Sequence, residues 1–219
     1  MVRFQTVWFA PLAAALLSFG LGAKKVMAQI EYPFSAIYNS ETTLEPITAN
    51  IFKITNIGES VNAPYELTRL VNISYGNLNT NTGVITIDPN PATFGLQDLP
   101  FGSITIFGQG EDRLFGTTRG TATLDFQNFV GTVSNTISIT GGSGTFDGAI
   151  GTLILSENLT LNPDPTAPIR GLPLISGSFQ TFQTVPEPRN NAAIFTIGSI
   201  GVGFLLCRHR LRVIGFKRV

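Results

Sequence analysis

The stretch TLILSENLTL, residues 152–161, decides how the body of this chain is read. Leu153, Leu155, Leu159 and Leu161 fall at even intervals, and since successive side chains of a strand point to opposite faces, the four share one face. A helix would scatter them around its circumference. The same period continues outward along the chain. In GTATLDFQ, Ala122, Leu124 and Phe126 face one way and Thr121, Thr123 and Asp125 the other, while NTISIT sets Ile137 beside Ile139. ANIFKIT, LVNISYG, GVITID and GSITIFG supply further strands.

Between these segments stand NTNTG, DPNP, GQGED and TGGSG, rich in residues that favour turns. No helix of convincing length is expected from residue 30 to residue 182. The body, residues 29–184, is therefore expected to be all-β, an antiparallel barrel of about eight strands or a sandwich. Residues 162–173, NPDPTAPIRGLP, are expected as a surface loop before a last strand near LISGSFQTF. Phe-Gly and Gly-Thr pairs recur without a fixed spacing, so they mark strand ends and core aromatics rather than a repeat. Most of the phenylalanines are expected in the core.

Charge is distributed unevenly along the 219 residues. Overall it cancels, yet nine of the fourteen basic residues lie in the two ends. Residues 29–185 keep only Lys53, Arg69, Arg113, Arg119 and Arg170 against thirteen acidic residues, a net charge of −8. Such a body repels phosphate backbones, which argues against nucleic acid as a partner.

The ends carry targeting features. MVRFQ precedes the apolar run WFAPLAAALLSFGLGA, and Val26-Met27-Ala28 places small or modest residues where a signal peptidase cuts. Residues 1–28 are expected to be a signal peptide cleaved between Ala28 and Gln29; Lys24 and Lys25 leave an uncleaved anchor as the alternative. Near the other end, residues 192–207 carry no charge. Sixteen residues give roughly 24 Å of helix against an apolar bilayer core of about 30 Å, a deficit that flanking side chains can absorb. A transmembrane helix is expected there. Arg208, Arg210 and Arg212 should stay on the cytoplasmic side, which places the body outside.

Val185-Pro186-Glu187-Pro188, a single apolar span and an arginine-rich end resemble, in that order, the PEP-CTERM sorting signal of Gram-negative bacteria and cyanobacteria. The resemblance covers residues 185–219. It implies recognition by an exosortase-type sorting enzyme, anchorage in the cytoplasmic membrane before processing, and then delivery to the cell envelope or to extracellular polysaccharide. Two departures are the continuation VIGFKRV and Arg189-Asn190-Asn191 after the motif.

ITGGSGTFDGAIG is the most distinctive motif of the body. It lacks the Gly-Lys-Ser/Thr end of a phosphate-binding P-loop, and no helix follows it. A turn at residues 141–144 is expected, with Phe146 and Ala149 inward and bends at Gly148 and Gly151. Its Gly-Gly-Ser-Gly turn, aromatic residue and Gly-Ala-x-Gly are similar to a pattern of the allene oxide cyclase and dirigent barrel group. The resemblance spans residues 116–161 and implies a closed barrel, without carrying an activity.

Catalysis is bounded by the inventory. His209 and Cys207, the only residues of their kinds, lie in the C-terminal end, so His-based zinc chemistry, Ser-His-Asp and Cys-His machinery are excluded from the body. No intrachain disulfide can form. Glu111-Asp112 beside Arg113 is the densest acid pair, read as an exposed turn rather than a catalytic site. Asn77 to Gly83 offers alternate oxygens but fails the spacing of a calcium loop, so a hairpin turn is expected. No catalytic, cofactor-binding or metal-ligating residue is assigned.

Three function classes follow. The first is an exported, non-enzymatic β-domain sorted to the envelope or polysaccharide matrix. The second is a barrel binding a small apolar ligand. The third is a carboxylate-dependent enzyme acting on sugars. A pocket of several hundred Å³ lined by Phe would favour the second, paired carboxylates about 5 to 9 Å apart in a cleft the third, and a filled barrel with neither the first.

Overall fold

The computed structural model describes residues 27–162, 164 and 167–184. Residues 29–183 form one compact unit, bounded as Gln29–Gln183. The period-two pattern is realised as an 11-stranded sheet. Its strands are β1 (Met27–Ile37), β2 (Asn39–Pro46), β3 (Ile51–Glu59), β4 (Arg69–Asn79), β5 (Val84–Asp88) and β6 (Ser103–Phe107), followed by β7 (Arg113–Asp125), β8 (Val130–Ser143), β9 (Ile150–Thr160), β10 (Ile169–Gly171) and β11 (Leu174–Thr184). Among the described residues the only helical turns are three 3₁₀ segments, Pro64–Glu66, Pro91–Phe94 and Gly144–Phe146.

Antiparallel pairing closes the sheet on itself as an eight-stranded barrel. The ring runs β2, β3, β4, β5, β7, β8, β9, β10 and back to β2. Two pairs of strands share a place in the wall. β6 pairs Arg69 to Ile73 of β4 where β5 pairs Tyr75 to Asn79, and β11 pairs Ile150 to Ser156 of β9 where β10 pairs Leu159 and Thr160. A sandwich is excluded by the closure.

The expected loop at residues 162–173 needs correction. It contains β10, whose three residues join β9 to β2 and complete the ring. Prolines on either side disguise it, because a strand this short offers a single alternation. Phe126 is a second correction. Ala122 and Leu124 are buried as expected, but β7 ends at Asp125 and Phe126 sits exposed in the turn. Phenylalanines divide likewise: Phe34, Phe146 and Phe179 are buried, whereas Phe101, Phe126, Phe129 and Phe182 are exposed.

Two apolar clusters fill the interior. One gathers Phe34, Tyr38, Leu70, Ile106, Ile137, Leu153 and Phe179 with their neighbours, and Tyr32 stacks on Phe179 at 5.1 Å. The other gathers Ile54, Ile85, Ile87, Ala122, Leu124, Leu159 and Leu161. Along β9 the inward positions pass from Leu153 and Leu155 of the first cluster, through Glu157, to Leu159 of the second. A polar layer thus lies between the two, with Val133 packed against both.

No described helix is long and apolar enough to cross a membrane. The expected transmembrane helix at residues 192–207, the sorting motif and nearly all of the signal peptide lie outside the described residues. β1 begins at Met27, so the expected cleavage bond between Ala28 and Gln29 falls within its first turn of pleat.

Candidate functional site

The polar layer is built by strand alternation. On each contributing strand the inward row is apolar except at the waist of the barrel, where Ser40 and Thr42 (β2), Asn56 (β3), Asn72 and Ser74 (β4), Thr118 (β7), Asn135 (β8) and Glu157 (β9) face inward. Their registers make them neighbours. Thr42 is opposite Asn56, and Asn56 is opposite Asn72. Direct cross-strand partners stand about 4.5–5.5 Å apart at Cβ. Ser40, two positions before Thr42 on the same face, donates through Oγ to Glu157 Oε1 at 2.7 Å.

A cavity of about 60 Å³ opens at this layer, bordered by Leu70, Ile104 and Leu155 of the first cluster and by most of the second. Its polar wall is Thr42, Asn56, Asn72, Ser74, Asn135 and Glu157. Leu44, Ile54, Ile85, Leu124, Leu159 and Ile169 form much of its apolar wall, of which Leu44 and Ile169 are half-buried. No Phe, His, Lys or Arg lines it. The cavity is thus not the large Phe-lined pocket that would favour an apolar ligand: the buried phenylalanines Phe34, Phe146 and Phe179 pack in the first cluster.

Hydrogen bonding in the layer is incomplete. Asn56 Nδ2 donates to Thr42 Oγ1 at 2.6 Å, which leaves Asn56 Oδ1 without a partner. Asn72 Oδ1, Ser74 Oγ and Asn135 Oδ1 are likewise buried and unpartnered within the cavity wall. Each such group costs about 1–3 kcal/mol, against a net domain stability of about 5–15 kcal/mol. Four of them in one wall are a concentrated expense, and a molecule that supplies donors relieves it.

Glu157 is the one titratable group in the wall. It is 7% exposed, and burial pushes its carboxyl above the ordinary glutamate range although the Ser40 bond pulls it down. Two glycines make room for the layer. A Cβ at Gly171 would collide with the Glu157 carboxyl, and one at Gly120 with Asn135 Oδ1. At Gly120 the Ser134 carbonyl oxygen is equally close, so only glycine fits, whereas a side chain at Gly171 would have to displace the Glu157 carboxyl.

The sequence's own candidates lie elsewhere. Glu111 is exposed in the turn before β7, and Arg113 stacks over Phe107 at 5.5 Å instead of pairing with it. Asp112 Oδ1 accepts from the Thr145 backbone N–H at 2.7 Å, which ties this turn to the Gly-rich motif. In that motif Phe146 and Ala149 are buried as expected, and Gly144 and Gly148 adopt φ of 63° and 66°. Asn79 to Gly83 forms the β4–β5 hairpin turn, in which Asn79 Oδ1 accepts from the Asn81 N–H at 3.0 Å. Asp88 pairs with Arg119 at 2.9 Å on the outside of the barrel. Burial opposes ionisation of Asp88, but bonds from Arg119, the Asn90 N–H and Thr93 outweigh it and hold its carboxyl below the usual aspartate range.

Ala28 and Gln29 lie at the start of β1. Val185, Pro186, Glu187, Pro188, Arg208, Arg210 and Arg212 lie outside the described residues. No group of three or more His, Cys, Asp or Glu side chains capable of holding a metal occurs among the described residues. Compared with known protein families, curated proteins and solved structures, the chain matches none.

Proposed function

We propose that this chain is an exported, non-enzymatic binding protein whose barrel holds a small molecule with one polar end and an apolar remainder. The observation that carries the reading is the cavity itself, in which unpartnered Asn56, Asn72, Ser74 and Asn135 oxygens face an aliphatic wall. Burying these groups weakens the fold unless something bonds to them. The ligand is thus amphipathic rather than purely apolar. A two-carboxylate hydrolysis finds less support, since Glu157 is the single acid in the wall.

Export rests on the sequence: the N-terminal apolar run, and the Pro186-Glu187-Pro188 motif with its arginine cluster. We place the working site in the cell envelope or the extracellular polysaccharide matrix, after an exosortase-type enzyme has handled the C-terminal end. Binding can be read by protein-observed nuclear magnetic resonance on the purified full-length chain, titrated with four- to six-atom amines, alcohols and acids. Shifts should cluster on Leu44, Ile54, Leu124 and Leu159, and Ala122→Leu, which fills the cavity, should abolish them. If no compound of any class shifts these residues, the interior serves only as a hydrated core and the reading is wrong.

A further inference from the structure

The ligand class follows from which polar atoms the cavity leaves open, and this step rests on the binding reading above. Glu157 Oε1 accepts from Ser40, and no donor among the described residues reaches Oε2. Asn56 Oδ1 and Asn72 Oδ1 also await donors, whereas Asn135 Oδ1 lies against the backbone of Gly120. The unpartnered acceptors near the carboxyl are one carboxyl oxygen and two carboxamide oxygens, and the Ser74 hydroxyl and the Asn72 and Asn135 amide groups bring donors to the same wall. These acceptors are contiguous around the waist, since Asn56 and Asn72 are cross-strand partners and Ser40 is two positions from Thr42, which is bonded to Asn56. Positions two apart on a strand are about 7 Å from one another.

We propose that the cavity selects a small primary aliphatic amine, its ammonium group bound by Glu157 Oε2 and its hydrocarbon lying among Ile54, Leu124 and Leu159. An ammonium offers three donors and a full positive charge to the open carboxyl oxygen, while an alcohol offers one donor and no charge. A buried carboxylate also needs a compensating cation, and the wall contains none. An anionic ligand meets the Glu157 carboxylate with no cation in the wall to offset it, and is rejected. Size agrees as well. One water needs about 10–15 Å³ of such volume, so a cavity of about 60 Å³ takes about four to six non-hydrogen atoms.

Glu157 adds a signature that a passive apolar hole lacks. Its protonated form has no charge to offer an ammonium, so amine binding strengthens as pH rises through the titration of Glu157, which burial has moved upward. The groups that meet its carboxyl are Ser40 and Gly171, neither of which titrates. Arg170 and Glu41 pair with each other at 2.9 Å and are both largely exposed.

The test compares n-butylamine, 1-butanol and butyrate on the full-length chain by calorimetry and by nuclear magnetic resonance from pH 5 to pH 8. We expect butylamine to bind at least tenfold tighter than butanol at pH 8, to weaken as pH falls, and butyrate not to bind. Glu157→Gln should cost butylamine at least tenfold in affinity and leave butanol within about threefold. Butanol binding as tightly as butylamine, or amine affinity independent of pH, would overturn the amine assignment while leaving the binding reading intact. Failure of all three compounds would overturn both. Should Glu157→Gln not fold, the amine-to-alcohol ratio and its pH dependence in the unaltered chain decide the matter alone.

Discussion

Glu157 occupies a wall position that its strand otherwise fills with leucine. Because burial favours its protonated form, its contribution to folding is complete below the carboxyl's unfolded pKa and is lost as pH rises through the elevated folded value. Replacing it with Gln should therefore be more favourable to stability at pH 7 than near pH 4, measured by urea unfolding across pH. A difference that shifts in favour of wild type from pH 4 to pH 7 would contradict this. Asp88 has the opposite sign. Its lowered pKa contributes stability that is present above the ordinary aspartate range and lost as pH falls through the folded value. The destabilisation caused by Asp88→Asn should accordingly be seen at pH 7 and shrink towards pH 2. Both residues were in plain view in the sequence. Glu157 even keeps phase with Leu153, Leu155, Leu159 and Leu161, as Asn135 does with Ile137 and Ile139. An in-phase polar residue was the available signal, but a single chain position does not reveal whether its face at that height is core or rim.

At the scale of elements, β10 does more than its length suggests. Three residues pair with Ser40, Glu41 and Thr42 on one side and with Leu159 and Thr160 on the other, so they join the two ends of the ring. Gly171 sits where this closure meets the Glu157 carboxyl. Gly171→Ala should destabilise the domain by about 1–3 kcal/mol, as overpacking does, and should also weaken ligand binding by displacing Glu157. Thermal unfolding and a butylamine titration check the two effects separately. An unchanged melting temperature would mean that the carboxyl swings clear without loss. The proline-rich surroundings concealed β10 because period-two evidence needs several alternations, and this strand provides one.

For the whole molecule, the proposed sorting signal and the barrel make independent contributions. Replacing Pro186, Glu187 and Pro188 with Ala changes no residue of the apolar span at 192–207. Membrane insertion should persist, since no membrane-buried group has been altered. In a host with the sorting enzyme, uncut protein should accumulate in the membrane, as read by immunoblotting of cell fractions. Unchanged mass and location would make the motif a rigid linker before a plain anchor. Ligand binding should be the same in either form, because every cavity residue lies within Gln29–Gln183.

The sequence by itself determined the strand character of the body, the inward identity of most core residues and the sign of the body's charge. These are local properties: alternation along a strand fixes which side chains share a face, and composition fixes charge. Only the tertiary structure decided that the sheet closes, that β5 and β6 share one place in the wall, and that polar residues from β2, β3, β4, β8 and β9 meet at one height around a cavity. Those outcomes depend on register between strands as far apart as Ser40 and Glu157, 117 positions in the chain. Period two says which way a side chain points, but the height at which it meets its neighbours is set by pairing across the ring.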